Sequence, residues 1–167
     1  TYIKGLQKGL NKIVWTVRNG LCSDFDVVNI LVDSLPTPAN AGLIPAVCET
    51  SSSVLLAANQ AITGIGQWTS ASGIPVFADT NLATSTVSNL QIGANELFWT
   101  ISNGACLGVS SSVTVQVDQL PDTAKAGIDI RSCEGFSQLT LASDSPLIGI
   151  GYWTKLSGPL DVLDTAN

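Results

Sequence analysis

The sequence predicts an all-β protein made of tandem antiparallel β-sandwich repeats of about 84 residues. Three observations lead there. The first is an internal repeat. Leu6-Gln7-x-Gly9-x-Asn11-x-x-x-Trp15-Thr16-x-x-Asn19-Gly20-x-Cys22 returns 84 positions later as Leu90-Gln91-x-Gly93-x-Asn95-x-x-x-Trp99-Thr100-x-x-Asn103-Gly104-x-Cys106. A one-residue length difference follows between Cys22 and Asp26, where a loop is expected to absorb it. From there the offset is 85, through Leu35-Pro36 and Leu120-Pro121, Cys48 and Cys133, and Gly64-Ile65-Gly66-x-Trp68 and Gly149-Ile150-Gly151-x-Trp153. Self-similarity at such a period marks an array of modules. The second observation is a period-two alternation of apolar residues, the mark of half-buried strands. The third is that no segment combines a helical period with caps, while Asn-Gly and Pro/Gly signals punctuate short runs. Many short strands at turn-punctuated spacing make a sandwich.

Comparing the two copies orients each element in order. Tyr2-Ile3-x-x-Leu6 and Thr86-Val87-x-x-Leu90 read as one strand. Ile13, Trp15 and Val17 correspond to Leu97, Trp99 and Ile101, apolar in both copies, whereas Val14, Thr16 and Arg18 correspond to Phe98, Thr100 and Ser102. One face of that strand is therefore buried. After the Asn-Gly turn signal, Val28, Ile30 and Val32 match Val113, Val115 and Val117, with Asn29 and Leu31 changed to Thr114 and Gln116 on the outward face. Asp33-Ser34-Leu35-Pro36 and Asp118-Gln119-Leu120-Pro121 end the strand, proline preventing its continuation. Val54 and Leu56 match Leu139 and Leu141 in a further strand, with Leu55 and Thr140 facing solvent. Trp68 and Trp153 lie in short strands behind a Gly-Ile-Gly lead-in. All four tryptophans recur at the repeat interval, which assigns them to core packing rather than to a carbohydrate platform.

The phase of the repeat allows two divisions. The one expected here is two closed modules, 1–82 and 83–167; the alternative is a partial repeat 1–33, a complete repeat 38–118 and a partial repeat 122–167. The chain opens and closes inside a repeat and shows no signal peptide or transmembrane stretch, as expected of a segment of a longer tandem protein.

Cysteine pairing follows the phase. Cys22, Cys48, Cys106 and Cys133 occupy repeat-related places without CxxC spacing, and so read as disulfide partners rather than zinc ligands. If the proline-rich connection folds back, Cys22 joins Cys48 and Cys106 joins Cys133; the conventional phase instead sets Cys48 against Cys106. Both pairings stay open at the level of sequence.

Composition narrows the function. Net charge is −6, and eight carboxylates but no Lys or Arg lie between Arg18 and Lys125. That argues against nucleic acid or an anionic membrane as partner. A charge-poor chain without Met or His suits an exported protein. Without His, the Ser-His-Asp and Cys-His arrangements are impossible. Paired carboxylates serve glycoside hydrolysis only across a cleft, whereas Asp33 and Asp118, and Asp79 and Asp164, recur once per repeat like structural residues. The chain is not expected to be an enzyme. Ca²⁺ takes six to eight oxygens; no dense D-x-D-x-D loop exists, and Asp33, Asp118, Asp122 and Asp129 are the carboxylates that would gather at a repeat junction to bind it. A Lys–Asn isopeptide bond is excluded from 19–124, which has no lysine.

The combination of Pro38-Ala39-Asn40-Ala41-Gly42, Cys48, Gly64-x-Gly66-x-Trp68, Leu90-x-x-Gly93-x-Asn95, Trp99-Thr100-x-x-Asn103-Gly104-x-Cys106 and Val115-x-Val117-Asp118 resembles the PKD-like or Ig-like repeats of giant cell-surface proteins of Bacteroidetes, including gliding-motility adhesins. The resemblance covers essentially the whole chain. It implies an all-β module, export by the type 9 route, an extracellular location, and neighbouring repeats, other filament chains or surface glycans as partners. It carries no catalytic residue. Asp33-Ser34-Leu35, Asp122-Thr123-Ala124 and Asp164-Thr165-Ala166 resemble the O-glycosylation sequon of the same bacteria, which makes Ser34, Thr123 and Thr165 candidate acceptors; plain turn formation is the competing reading.

Overall fold

A computed structural model describes residues 1–51, 53–135, 137–159 and 161–162. All regular structure among the described residues is β. The chain begins with a hairpin, β1 (Gly9–Asn19) and β2 (Cys22–Val32), paired from Gly9↔Val32 to Asn19↔Cys22. Gly20, at φ +61°, takes the first central position of the turn, where a residue with a Cβ is disfavoured. Short strands follow: β3 (Val47–Cys48), β4 (Ser53–Leu55), β5 (Ile65–Ser70), β6 (Val76–Phe77) and β7 (Thr86–Ser88). A second long hairpin, β8 (Gly93–Asn103) and β9 (Cys106–Asp118), is the repeat of the first.

β3, β9, β8 and β5 form a four-stranded sheet in that order, and β4, β7 and β6 a three-stranded one. Pairing is antiparallel except where β3 runs parallel to β9 through Val47↔Val117 and Cys48↔Asp118. The two sheets share one core, in which Val54, Leu56 and Val87 of the smaller side meet Trp68, Leu97, Trp99, Ile101, Val113 and Val115 of the larger. The alternating inward positions of β8 and β9 are those expected from the repeat. Trp68 and Trp99 sit opposite each other in register with ring centroids 5.1 Å apart. Their contact explains the Gly-Ile-Gly lead-in: a Cβ on Gly66 would run into the Trp99 ring, and one on Gly64 into the Ser102 carbonyl.

The structure corrects four expectations. The boundary between 82 and 83 falls inside the core: Ala83 and Val87 pack with Val54 and Leu56, and β4 pairs with β7, so the buried cluster runs from Ala41 to Val117. The extra residue of the second copy is absorbed within a strand, not a loop. β1 and β2 pair without interruption, while the β8–β9 register slips between Ile101 and Asn103, and Ser102 faces the two residues Leu107 and Gly108 in a β-bulge. Tyr2–Leu6 is exposed and forms no strand, and neither do Leu139 and Leu141. Finally, Trp15 is 69% exposed where its counterpart Trp99 is 1% exposed. The physical reason is common to the last two: β1–β2 and the segment after Asp118 each hold part of a module's apolar face that no other element among the described residues covers.

Candidate functional site

The repeated motifs of the sequence converge on the two ends of the 33–118 module. At one end the Asn-Gly-x-Cys turn grips the incoming chain. Ala105 N–H donates to Asp33 Oδ2 at 2.8 Å, Asn103 Nδ2 to the Ser34 carbonyl at 2.9 Å, and the Cys106 thiol to the same carbonyl at 3.2 Å. Gly104 has no room for a side chain, because a Cβ there would enter the Asp33 carboxylate. At the other end Glu49 N–H donates to the Asp118 carbonyl at 2.9 Å, and Glu49 Oε1 accepts from Leu120 N–H at 3.0 Å. Asp33 and Asp118 are repeat equivalents. The chain thus enters beside Cys106 and leaves beside Cys48, at opposite ends of β9, about 40 Å apart at ~3.3 Å per strand residue.

That geometry bears on each residue singled out above. All four cysteines are free thiols in the structure: Cys48 and Cys106 half-buried, Cys22 and Cys133 exposed. Within the module Cys48 and Cys106 cannot join, since Cys48 pairs with Asp118 at the far end of the strand that Cys106 begins and a disulfide needs Cα atoms within about 7 Å. Hydrogen bonding from the backbone of Thr50, then from its hydroxyl, holds the Cys48 thiol below its ordinary pKa. The carboxylates do not gather for calcium. Asp33 and Asp118 lie at opposite ends, Asp118 accepts from Gln116, and Asp122 Oδ2 is taken by the N–H groups of Leu147 and Ile148 at 2.6 and 3.1 Å. Among the described residues no three His, Cys, Asp or Glu side chains stand together as metal ligands. Ser34 is half-buried with its carbonyl engaged, Thr123 is exposed, and Thr165 lies outside the described residues.

Asn11 and Asn95 belong to the shared Leu-Gln-x-Gly-x-Asn motif, and the structure shows their role. Asn95 is 7% exposed; its Oδ1 accepts from Gln91 N–H at 2.9 Å, and its Nδ2 donates to the carbonyls of Gln91, Gly93 and Val115. Asn11 repeats the same set with Gln7, Gly9 and Ile30. The signal was available: a side chain with both donor and acceptor, invariant between copies at an inward position.

The segment after Asp118 reproduces the local geometry of its counterpart. Thr37 and Thr63 bond each other's backbone, as do Asp122 and Ile148; Asn59 N–H donates to Asn40 O, as Asp144 N–H does to Lys125 O, here with a Lys125–Asp144 ion pair at 3.3 Å. A cavity of about 740 Å³ opens over Pro121, Ala126, Ile148, Ile150, Gly151 and Trp153. Gly151 and Trp153 correspond to Gly66 and Trp68, which in the complete module carry the Trp99 indole. No protein-family model and no curated protein matches the chain, so the reading of its function rests on this geometry and on the repeat.

Proposed function

We propose that this chain is a structural repeat segment of a large exported cell-surface adhesin or filament, in which sandwich modules linked end to end form a stalk that supports adhesion. One observation carries the reading: the module takes in the chain at one end of β9 and releases it at the other, with each connection fastened by backbone and side-chain hydrogen bonds. Modules joined this way advance along an axis, each touching only its neighbours, as in other repeat arrays. Its partners are then the adjacent repeats. Low charge, the absence of Met and His, and repeat-related cysteines accord with export, and the resemblance to gliding-motility adhesins extends the role to a moving cell surface. No residue is assigned to catalysis, and among the polar side chains shared by the two copies Asn95 closes a turn and Asn103 a junction.

Small-angle scattering on chains of two, four and six repeats tests the stalk. The maximum dimension should grow linearly by about 40 Å per repeat, the length of a 13-residue strand. Growth as the cube root of mass would rule it out. Saturable binding of the two-repeat chain on a glycan array would favour the rival reading of a glycan-binding module instead.

A further inference from the structure

Each end of the 33–118 module carries a cysteine, and both cysteines stand beside the same aspartate of the repeat. At the exit, Cys48 is in register with Asp118, and the Asp118 carbonyl accepts the N–H of Glu49 at 2.9 Å. That carbonyl therefore points toward β3. Residues in register on neighbouring strands stand about 4.8 Å apart and share a face of the sheet. For Cys48 and Asp118 it is the outer face, since the adjacent Val47 packs on the core and Val117 is buried. At the entry, Asp33 is the repeat equivalent of Asp118. Here Cys106 Sγ lies 3.7 Å from the Asp33 carbonyl and 3.2 Å from that of Ser34, while the Asp33 carboxylate receives the N–H of Ala105. One carbonyl of the repeat is thus approached by the Cys48 strand in one case and by the Cys106 thiol in the other.

In a tandem array the exit of one module is the entry of the next, and a single aspartate serves both. We propose that consecutive modules are joined covalently by a disulfide between the Cys48 position of one module and the Cys106 position of the next. The proposal rests on the reading of the chain as linked modules and adds a modification site at each junction. Both thiols meet at the junction aspartate, within the Cα separation of about 4.4–6.8 Å that a disulfide spans. The link differs from every pairing expected from the sequence. Cys22 with Cys48, or Cys106 with Cys133, would take the Cys106 position from the earlier module and the Cys48 position from the later one. The junction requires the reverse order.

The chemistry is thiol–disulfide exchange with a donor disulfide. Cys48 supplies the first thiolate, since hydrogen bonds from Thr50 hold its thiol below the ordinary pKa. The thiolate attacks one donor sulfur and releases the other as a thiol. The Cys106-position thiolate then displaces the remaining donor sulfur from the mixed disulfide. Two protons and two electrons pass from the cysteine pair to the donor, which leaves as two thiols. With every junction linked, the shortest covalent path through a module runs between Cys106 and Cys48 rather than through the whole repeat. A pulled array then extends less when its modules unfold.

The test uses a four-repeat chain, two copies of 1–167 joined through Ala-Thr as at 83–84 so that the period continues. In one variant every cysteine is serine except Cys48 of the first copy and Cys22 of the second, which flank one junction. Its control keeps Cys22 and Cys48 of the first copy instead. Equilibrated with oxidised and reduced glutathione, the first should give a Cys22–Cys48 peptide from a chain that stays monomeric on a non-reducing gel. The control should give none. Cys133 of the first copy with Cys106 of the second, against the same pair within the first copy, repeats the test at the next junction should the first variant fail to fold. In the 1–167 chain no two cysteines flank one junction, so it should form no internal disulfide. A junction pair that stays unlinked in a cooperatively folded chain, equal linking of variant and control, or a Cys22–Cys48 or Cys106–Cys133 disulfide within a single 1–167 chain would each overturn the proposal. Scattering from the same reduced chain judges the stalk separately: linear growth with an unlinked junction would remove the link and leave the stalk.

Discussion

Asn95 closes the turn ahead of β8 with both ends of its amide, taking one backbone N–H and giving to three carbonyls while almost fully buried. Truncation leaves those backbone groups unpaired in a low-dielectric site, where each orphan costs about 1–3 kcal/mol. Asn95→Ala should lower the stability of the module by about 2–3 kcal/mol in urea unfolding, whereas Asn11→Ala, on the exposed hairpin, should hardly move the same transition. Cys48 gives a second prediction at this scale. Its pKa is lowered in the folded state because Thr50 donates to the thiolate. A depressed acid contributes stability that is complete above the unfolded-state pKa and is lost as pH falls through the folded value. The stability difference between wild type and Cys48→Ser should therefore widen as pH rises from about 7 to about 9.5, across the thiol range. Cys48 should also react with iodoacetamide sooner than the exposed Cys133 at neutral pH, despite its lesser exposure, because the thiolate is the nucleophile.

At the scale of elements, β5 and β8 are held together by the opposed pair Trp68 and Trp99, with Phe77 stacked on the outer side of Trp68. Each indole also finds a backbone acceptor, Trp68 Nε1 at the Ala83 carbonyl and Trp99 Nε1 at that of Asn59. The pair therefore ties three parts of the chain, and its fit depends on Gly66 having no side chain. Gly66→Ala should force the Trp99 ring out of place and destabilise the module by about 1–3 kcal/mol, the usual cost of overpacking, read as a lower thermal midpoint. The equivalent change at Gly151, beside the open cavity, should leave that midpoint unchanged. The bulge at Leu107 and Gly108 belongs to this scale as well. One extra residue in a paired strand would turn every following side chain to the other face; the bulge absorbs it, so Val113, Val115 and Val117 keep the inward positions of Val28, Ile30 and Val32.

For the whole molecule the consequence is a single cooperative unit flanked by two halves. The buried cluster lies between Ala41 and Val117, and the connections at Asp33 and Leu120 are fastened to it. Residues 33–122 alone should unfold cooperatively with a midpoint close to that of the full chain, while residues 1–82, which lack β8 and β9, should show no cooperative transition by circular dichroism. The opposite pattern would restore a division at 82/83. The same geometry separates the cysteines: Cys48 and Cys106 mark the two ends of one module, Cys48 in register with Asp118 and Cys106 bonded to the Ser34 carbonyl.

What the sequence determined by itself was everything carried by local pattern and by comparison of the two copies. The all-β class, the turn at Asn19-Gly20 and Asn103-Gly104, the inward faces of β8 and β9, and the burial of Trp68 and Trp99 were legible because alternation and turn chemistry act over a few residues. The phase of the repeat was not. A periodic sequence has no marked beginning, so the same motifs fit a cut at 82/83 or at 33 and 118, and only the pairing of β4 with β7 and of β3 with β9, over separations that no local pattern encodes, selects which stretches share a core. Tertiary structure likewise decided that the extra residue enters a strand, that Asp33 and Asp118 lie apart, and that Trp15 is exposed though its sequence context matches that of Trp99. Burial is a property of what packs against a residue, and among the described residues none covers Trp15 as Trp68 covers Trp99.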